Sequence, residues 1–206
     1  MENHSKRLKC ALEQFVPAPT VDEMTKQFEH IAQIVFNGRF VVNKAYEIYP
    51  IDIEFYFYDE AHKTIVDPQM YHVGKDIPYF PIGSVCPNRS GVDVTFEREG
   101  QYRASFLIRG YKYKSVAGDD ETYINNDKKD HLKFKPQYLW EDLFGNASVL
   151  ENGLSIVGVD NDDYHEVRVD QNARVGVHIV EGETKDRMWR FTNMDLAEEK
   201  CDAKCK

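Results

Sequence analysis

A carboxylate and a tyrosine share one face of a predicted strand within PIDIEFYFYDEAHKTIVDPQMYH, residues 50–72. The alternation places Glu54 and Tyr56 on one face, and Phe55 and Phe57 on the other. A carboxylate beside aromatic groups loses solvation, which raises its pKa and suits it to take a proton from water. Alternatively, Glu54 lies on a solvated strand face and pairs with a lysine or arginine. Tyr56 is either the wall for a planar ligand or an ordinary strand tyrosine.

Two further residues could contact a ligand. His72 ends the segment DPQMYH, just beyond the strand, and is either a surface residue or a catalyst. Arg109 ends the apolar stretch FLIRG and needs a partner, because burying an unpaired guanidinium is costly. That partner is either an acidic neighbour on the sheet or a phosphate or carboxylate of a ligand.

Motifs of the common enzyme classes are absent from the sequence. It contains no glycine-rich phosphate loop, no HExxH, no nucleophile elbow and no paired CxxC motifs. The two cysteines of the tail KCDAKCK have neither a second pair nor a nearby histidine, so they do not complete a zinc site. We therefore expect neither a metal nor a cofactor.

The elements that would position these residues begin with one helix. Thr20 and Glu23 form a capping-box pattern, and the apolar spacing after them predicts a helix over 21–36. A second, short helix is predicted in PQYLWEDLFG, ending at Gly145. The preceding segment, 114–136, is highly charged and is predicted to be a loop or insertion.

Strand patterns dominate the rest of the chain. SGVDVTFE and RASFLIRG alternate on either side of a short turn at Gly100 and predict a hairpin. ARVGVHIV and MWRFTNM predict a last strand pair. The pattern favours an α+β fold, a single mixed domain with a curved, mainly antiparallel sheet and a few helices. We assign 1–19 to a flexible N-terminal arm, 20–196 to the domain and 197–206 to a charged tail.

Composition restricts the setting in which the protein acts. Among its 206 residues, 35 are acidic and 26 basic, and the net charge is −9, whereas a dedicated nucleic-acid binder is more often basic. No apolar run approaches the length of a membrane span, and the N-terminus lacks an apolar core of signal-peptide length. We expect a cytoplasmic monomer with reduced thiols and no membrane partner.

Several short stretches, in order along residues 20–195, resemble the alkyladenine (3-methyladenine) DNA glycosylase family, which excises alkylated purines. The most specific are ARVGVHIV and WRF, which are similar to the family's Pro/Ala-Arg-Val-Gly-Val and Arg-Phe stretches. IDIEFY resembles its Val-Glu-x-Glu-Ala-Tyr segment, and FLIRG its Leu-Leu-Arg-Ala. DPQMYH resembles its Asp-Pro-x-x-His with one residue extra, and GSVCPNRSGVDVTF its DNA-inserting hairpin.

This resemblance implies roles for individual residues. Glu54 would activate water, Tyr56 would stack on the base and His72 would contact it. Arg109 would be the family's phosphate-side arginine, and Glu97 falls at or near the position of a pocket asparagine. The hairpin that inserts into DNA would comprise Arg89, Ser90, Val92 and Asp93. Ser90 occupies the position of the family's inserted aromatic, and YKY replaces the Glu-Pro that follows Arg-Ala.

Two functions therefore stay open. The first is a DNA glycosylase that hydrolyses the N-glycosidic bond of alkylated purines by carboxylate-activated water. Its partner would be DNA, with damaged or single-stranded DNA favoured, because flipping a base out of the stack costs less there. The second is a non-catalytic relative of that fold that binds a nucleotide, a nucleic acid or a protein partner.

Overall fold

The computed structural model describes residues 5–70, 73–74, 76–88, 91–116, 122–124, 136–145, 150, 153–177 and 187–203. Within these ranges the helices are α1 (Lys6–Glu13), α2 (Val21–Phe36), α3 (Gln137–Gly145) and α4 (Met194–Ala203). The strands are β1 (Gly38–Val42), β2 (Tyr46–Asp59), β3 (Val85–Asn88), β4 (Gly91–Thr95), β5 (Tyr102–Ser115), β6 (Thr122–Ile124), β7 (Ile156–Asp160), β8 (Val169–Asn172) and β9 (Arg190–Asn193). None of these helices has the length and apolar character needed to cross a membrane.

The nine strands form one curled, antiparallel sheet, which confirms the predicted α+β fold. Its main order is β3-β4-β5-β2-β1-β7, with β6 added beside β5. Strand β9 pairs with the middle of β2 and with β8. The long β2–β5 pair therefore forms the centre of the sheet, and the predicted hairpin is formed by β4 and β5.

Helix α2 covers the apolar face of the sheet, as its sequence predicts. The Thr20 hydroxyl accepts a hydrogen bond from the Glu23 N–H and caps the first turn. On its inner side, the Phe28 ring stacks on Phe55 of β2, with the ring centroids 4.4 Å apart. The core thus lies between α2 and the side of β2 that carries the phenylalanines.

Both ends of the predicted domain extend further than expected. Within the segment predicted as a flexible arm, residues 6–13 form α1, and the side chains of Leu12 and Phe15 lie in the core. The Phe15 ring stacks on Phe28 at 6.0 Å, because the arm carries apolar residues that the core can bury. At the other end, α4 continues past the predicted boundary at 196 to Ala203.

The prediction of a last strand pair was wrong in one member. Strand β9 forms as expected, but it pairs with β8 and β2, and the described part of ARVGVHIV, residues 173–177, forms no strand. In the described part of that stretch, the Val175 N–H donates to a side chain on β2, and Gly176 has φ +73°. A positive φ interrupts an extended strand, so 174–177 form a loop against the sheet.

Candidate active site

Glu54 lies at the centre of the sheet with its carboxylate fully buried and bonded to three donors. Its Oε1 accepts a hydrogen bond from the Val175 N–H at 2.7 Å. Its Oε2 accepts from the Tyr56 hydroxyl at 2.9 Å and from Nη1 of Arg109 at 3.1 Å. Both interpretations of Arg109 required an anionic partner. In the structure that partner is the Glu54 carboxylate.

The register of the sheet explains how these groups meet. Ile53 pairs with Ile108 while Asp52 pairs with Gly110, so Arg109 is an extra residue at a β-bulge. Such bulges bend the strand and re-aim the side chains around them. The side chain of Arg109 is directed along the polar face of the sheet to Glu54, and only 12% of it is exposed.

A second carboxylate, Asp52, lies on the same face and is also fully buried. Arg190 of β9 donates to both of its oxygens, from Nε at 3.0 and 3.1 Å and from Nη2 at 2.8 Å. The Thr192 hydroxyl completes this set at 3.4 Å. Because Arg190 pairs across the strands with Glu54, the two ion pairs are neighbours.

Strand β4 adds a third buried carboxylate. Asp93 pairs with Leu107, and Leu107 pairs with Glu54, so Asp93 and Glu54 lie in one row of the sheet. Ser105 lies in the neighbouring row, where it pairs with Tyr56, and its hydroxyl is 3.4 Å from Oδ2 of Asp93. Three carboxylates thus line one face, although the described residues contain no cluster of three such groups able to hold a metal ion.

Burial raises the pKa of the Glu54 carboxyl, and the negative charge of Asp52 adds to this rise. The Arg109 cation, the Val175 N–H and the Tyr56 hydroxyl act in the opposite direction, since each stabilises the ionised form. Burial also raises the pKa of Tyr56, and the negative charges of Glu54 and Asp93 raise it further. Tyr56 therefore keeps its proton and remains a donor to Glu54.

The other residues predicted for the site are placed differently. Glu97 forms a buried ion pair with Arg103 at 2.9 Å and accepts from the Phe80 N–H. Arg103 pairs across the strands with Tyr58, four residues along β2 from Glu54, so this pair lies further along the sheet. We find no contact in the described ranges that brings Glu97 to Glu54.

The predicted insertion hairpin is described only in part. Val92 packs in the core beside Leu139 of α3, and Asp93 belongs to the row of buried carboxylates. Neither side chain therefore lies at the surface. Arg89 and Ser90 lie outside the described residues, as does His72.

Four residues of this region were not singled out from the sequence. Asp52, Arg174, Val175 and Arg190 contribute a carboxylate, two cations and a backbone donor around Glu54 and Tyr56. Val175 lies in ARVGVHIV and Arg190 in WRF, so both belong to stretches that resemble the glycosylase family, although the resemblance implied no role for either residue. A backbone donor has no signal in the sequence, since every residue except proline carries one.

No protein-family model matches the chain, and no curated protein is similar to it at a significant level.

Proposed function

We propose that the chain is a base-excision DNA glycosylase that hydrolyses the N-glycosidic bond of alkylated purines, with Glu54 as the base. One observation carries this proposal. A carboxylate offers about four acceptor positions, and the donors around Glu54 fill three of them. None of the donors in the described ranges takes the fourth position, which is on Oε1 and which the proposal assigns to the attacking water.

The origin of the three donors gives independent support. Three of the stretches that resemble the glycosylase family, IDIEFY, FLIRG and ARVGVHIV, are far apart in the sequence. Glu54 comes from the first, and its partners Arg109 and Val175 come from the other two. A chance resemblance between short stretches gives no reason for them to meet at one carboxylate.

The proposed reaction is a displacement at C1′ of the deoxyribose. The bond between C1′ and the purine nitrogen breaks through a sugar with oxocarbenium character, and its electron pair leaves with the base. The water oxygen bonds to C1′ as Glu54 accepts the water proton. Positioned general-base help of this kind contributes about 10²- to 10⁴-fold in rate. The ionised Glu54 also stabilises the positive charge that develops on the sugar.

The aromatic ring beside Glu54 favours a cationic base. Tyr56 lies next to that carboxylate and donates to it through its hydroxyl. Alkylation makes a purine a cation and a better leaving group. The face of an electron-rich ring such as Tyr56 attracts a cation by about 0.5–2 kcal/mol.

The burial of the ion pair between Glu54 and Arg109 favours a second function. The carboxylate of Glu54 is 0% exposed and already neutralised by Arg109. A buried ion pair of this kind is also what a non-catalytic relative of the fold would keep, while it binds a nucleotide, a nucleic acid or a protein partner.

Release of free base separates the two functions. Purified protein is incubated with methylated DNA, and the released bases are separated by chromatography. The proposal expects 3-methyladenine from the native chain and none above the uncatalysed background from Glu54→Gln. Equal release by both proteins, or no release by the native chain from duplex and single-stranded DNA, contradicts it and favours the binding function.

A further inference from the structure

A second ion pair, between Asp67 and Arg174, lies behind Glu54 and is as deeply buried. Both side chains are 0% exposed, with Nη1 of Arg174 2.5 Å from Oδ2 of Asp67. The same Nη1 lies 3.3 Å from the carbonyl oxygen of Phe55, the residue after Glu54. Asp67 is itself held by its own turn, where its Oδ1 accepts from the Gln69 N–H at 3.1 Å.

Arg174 connects this pair to two of the three donors of Glu54. Its guanidinium carbon lies 5.0 Å from the centroid of the Tyr56 ring, and the hydroxyl of that ring donates to Oε2. The next residue in the chain is Val175, whose N–H donates to Oε1. Because 174–177 form a loop and not a strand, no sheet hydrogen bonds are present to fix that N–H.

We propose that Asp67 and Arg174 are positioning residues for Glu54: their ion pair anchors the 174–177 loop and the Tyr56 ring, and so directs the Val175 N–H and the Tyr56 hydroxyl at the carboxylate. As a role in catalysis this rests on the proposed function, but the positioning itself does not. Neither residue touches the reacting atoms.

A change at the pair should alter the titration of Glu54 through these donors. The described charged and titratable groups that face Glu54 come from every strand packed beside it and from the loop: Asp52, Tyr56, Asp93, Arg109, Arg174 and Arg190. Of these groups, Arg174 is a member of the pair, and the Tyr56 ring lies against its guanidinium.

The experiment is a ¹³C NMR titration of the Glu54 side-chain carboxyl in the full chain, labelled at glutamate Cδ and assigned with Glu54→Gln. Arg174→Gln removes a cation and Asp67→Asn removes an anion. A purely electrostatic effect predicts opposite shifts of the Glu54 pKa in the two variants. Positioning predicts a rise in both, of about one pKa unit for one lost hydrogen bond to a charged group.

Arg174→Lys decides the matter if either neutral variant does not fold. It keeps the charge but loses the planar fork that spans Asp67 and Phe55, so positioning still predicts a rise. Arg103→Gln is the matched control, since it breaks the equally buried pair with Glu97, and the Glu54 pKa should stay unchanged.

Opposite shifts, no shift, or an equal rise in Arg103→Gln overturn the proposal. The titration needs no substrate, so its outcome is independent of whether the native chain releases base. Where base release is observed, its loss toward low pH should move upward by the same amount in both pair variants.

Discussion

The Val175 N–H donates a 2.7 Å hydrogen bond to Oε1 of Glu54, from a position 121 residues further along the chain. This bond joins the centre of the sheet to a loop that precedes the last strand. It stabilises the ionised carboxylate in a place where burial alone disfavours the charge. The charge state of Glu54 therefore depends on how well this distant segment is held, and several predictions depend on that charge state.

Glu54→Gln should abolish base release and also lower stability. The amide cannot accept the proton of water, and it leaves the largely buried Arg109 without its carboxylate. We expect a rate loss of at least about 10²-fold and a fall in unfolding free energy of about 1–3 kcal/mol. Base release is measured at a temperature where circular dichroism shows the variant to be folded.

Glu47→Gln is the matched control for that variant. Glu47 lies on the same strand and accepts hydrogen bonds from Tyr49 at 2.6 Å and from Arg39 at 2.8 Å, the same pattern in a more exposed place. We expect full base release from it. Loss of activity in both variants would show that any change of a paired glutamate on β2 inactivates the chain, and Glu54 would lose its special role.

Stability should depend on pH as expected for a carboxyl group, that of Glu54, whose pKa is raised in the folded state. Between the unfolded-state value, about 4.3, and the raised folded value, Glu54 is ionised in the unfolded chain but protonated in the native one. The stabilisation of the native state by protonated Glu54 is therefore complete below the pKa of the unfolded chain, and it is lost as pH rises through the pKa of the folded chain. Urea unfolding of native protein and Glu54→Gln across this interval should show the variant gaining relative stability as pH rises. A constant difference would mean that the Glu54 pKa is not raised.

Two substitutions at Tyr56 should separate its hydroxyl from its ring. Tyr56→Phe removes a donor to Glu54, so the Glu54 pKa should rise and base release should fall off at a higher pH. Tyr56→Ala also removes the aromatic face, and it should weaken discrimination between alkylated and normal purines more than general DNA affinity. Rates on both purines are compared across pH. If both variants lose activity equally on all substrates, Tyr56 is a packing residue only.

The pattern Glu-x-Tyr shows what the sequence could predict here. It occurs twice on β2, at Glu47 and Glu54, and strand alternation correctly places each tyrosine on the face of its glutamate. Local pattern cannot tell the two apart. Glu54 differs from Glu47 in two contacts. A β-bulge places Arg109 beside Glu54, and the Val175 N–H donates to it from a loop that was predicted to be a strand. Contacts between distant segments and register shifts decide which carboxylate is buried, and neither has a local signal.

The excess of acidic residues should weaken DNA binding. With 35 acidic against 26 basic residues, the field of the whole protein should repel phosphate. Each phosphate contact contributes about −0.9 to the slope of log affinity against log salt on duplex DNA, and about −0.7 on single strands. Arg103, Arg109 and Arg174 are buried and paired with carboxylates, so these three do not contribute phosphate contacts. We therefore expect a shallow slope and poor binding of undamaged duplex at physiological salt.

Ser90→Tyr should strengthen binding of duplex DNA or base release from it. The sequence resemblance aligns Ser90 with the aromatic residue that the glycosylase family inserts into DNA, and an inserted ring helps to offset the cost of flipping a base, a few kcal/mol. Single-stranded DNA has less stacking to break, so the gain there should be smaller. The measurement is a salt titration of native protein and Ser90→Tyr on duplex and single-stranded oligonucleotides. A steep slope with tight binding of native protein to duplex would mean that a local basic surface outweighs the net charge. If Ser90→Tyr changes neither binding nor release, the hairpin does not face DNA, and the non-catalytic binding function gains support.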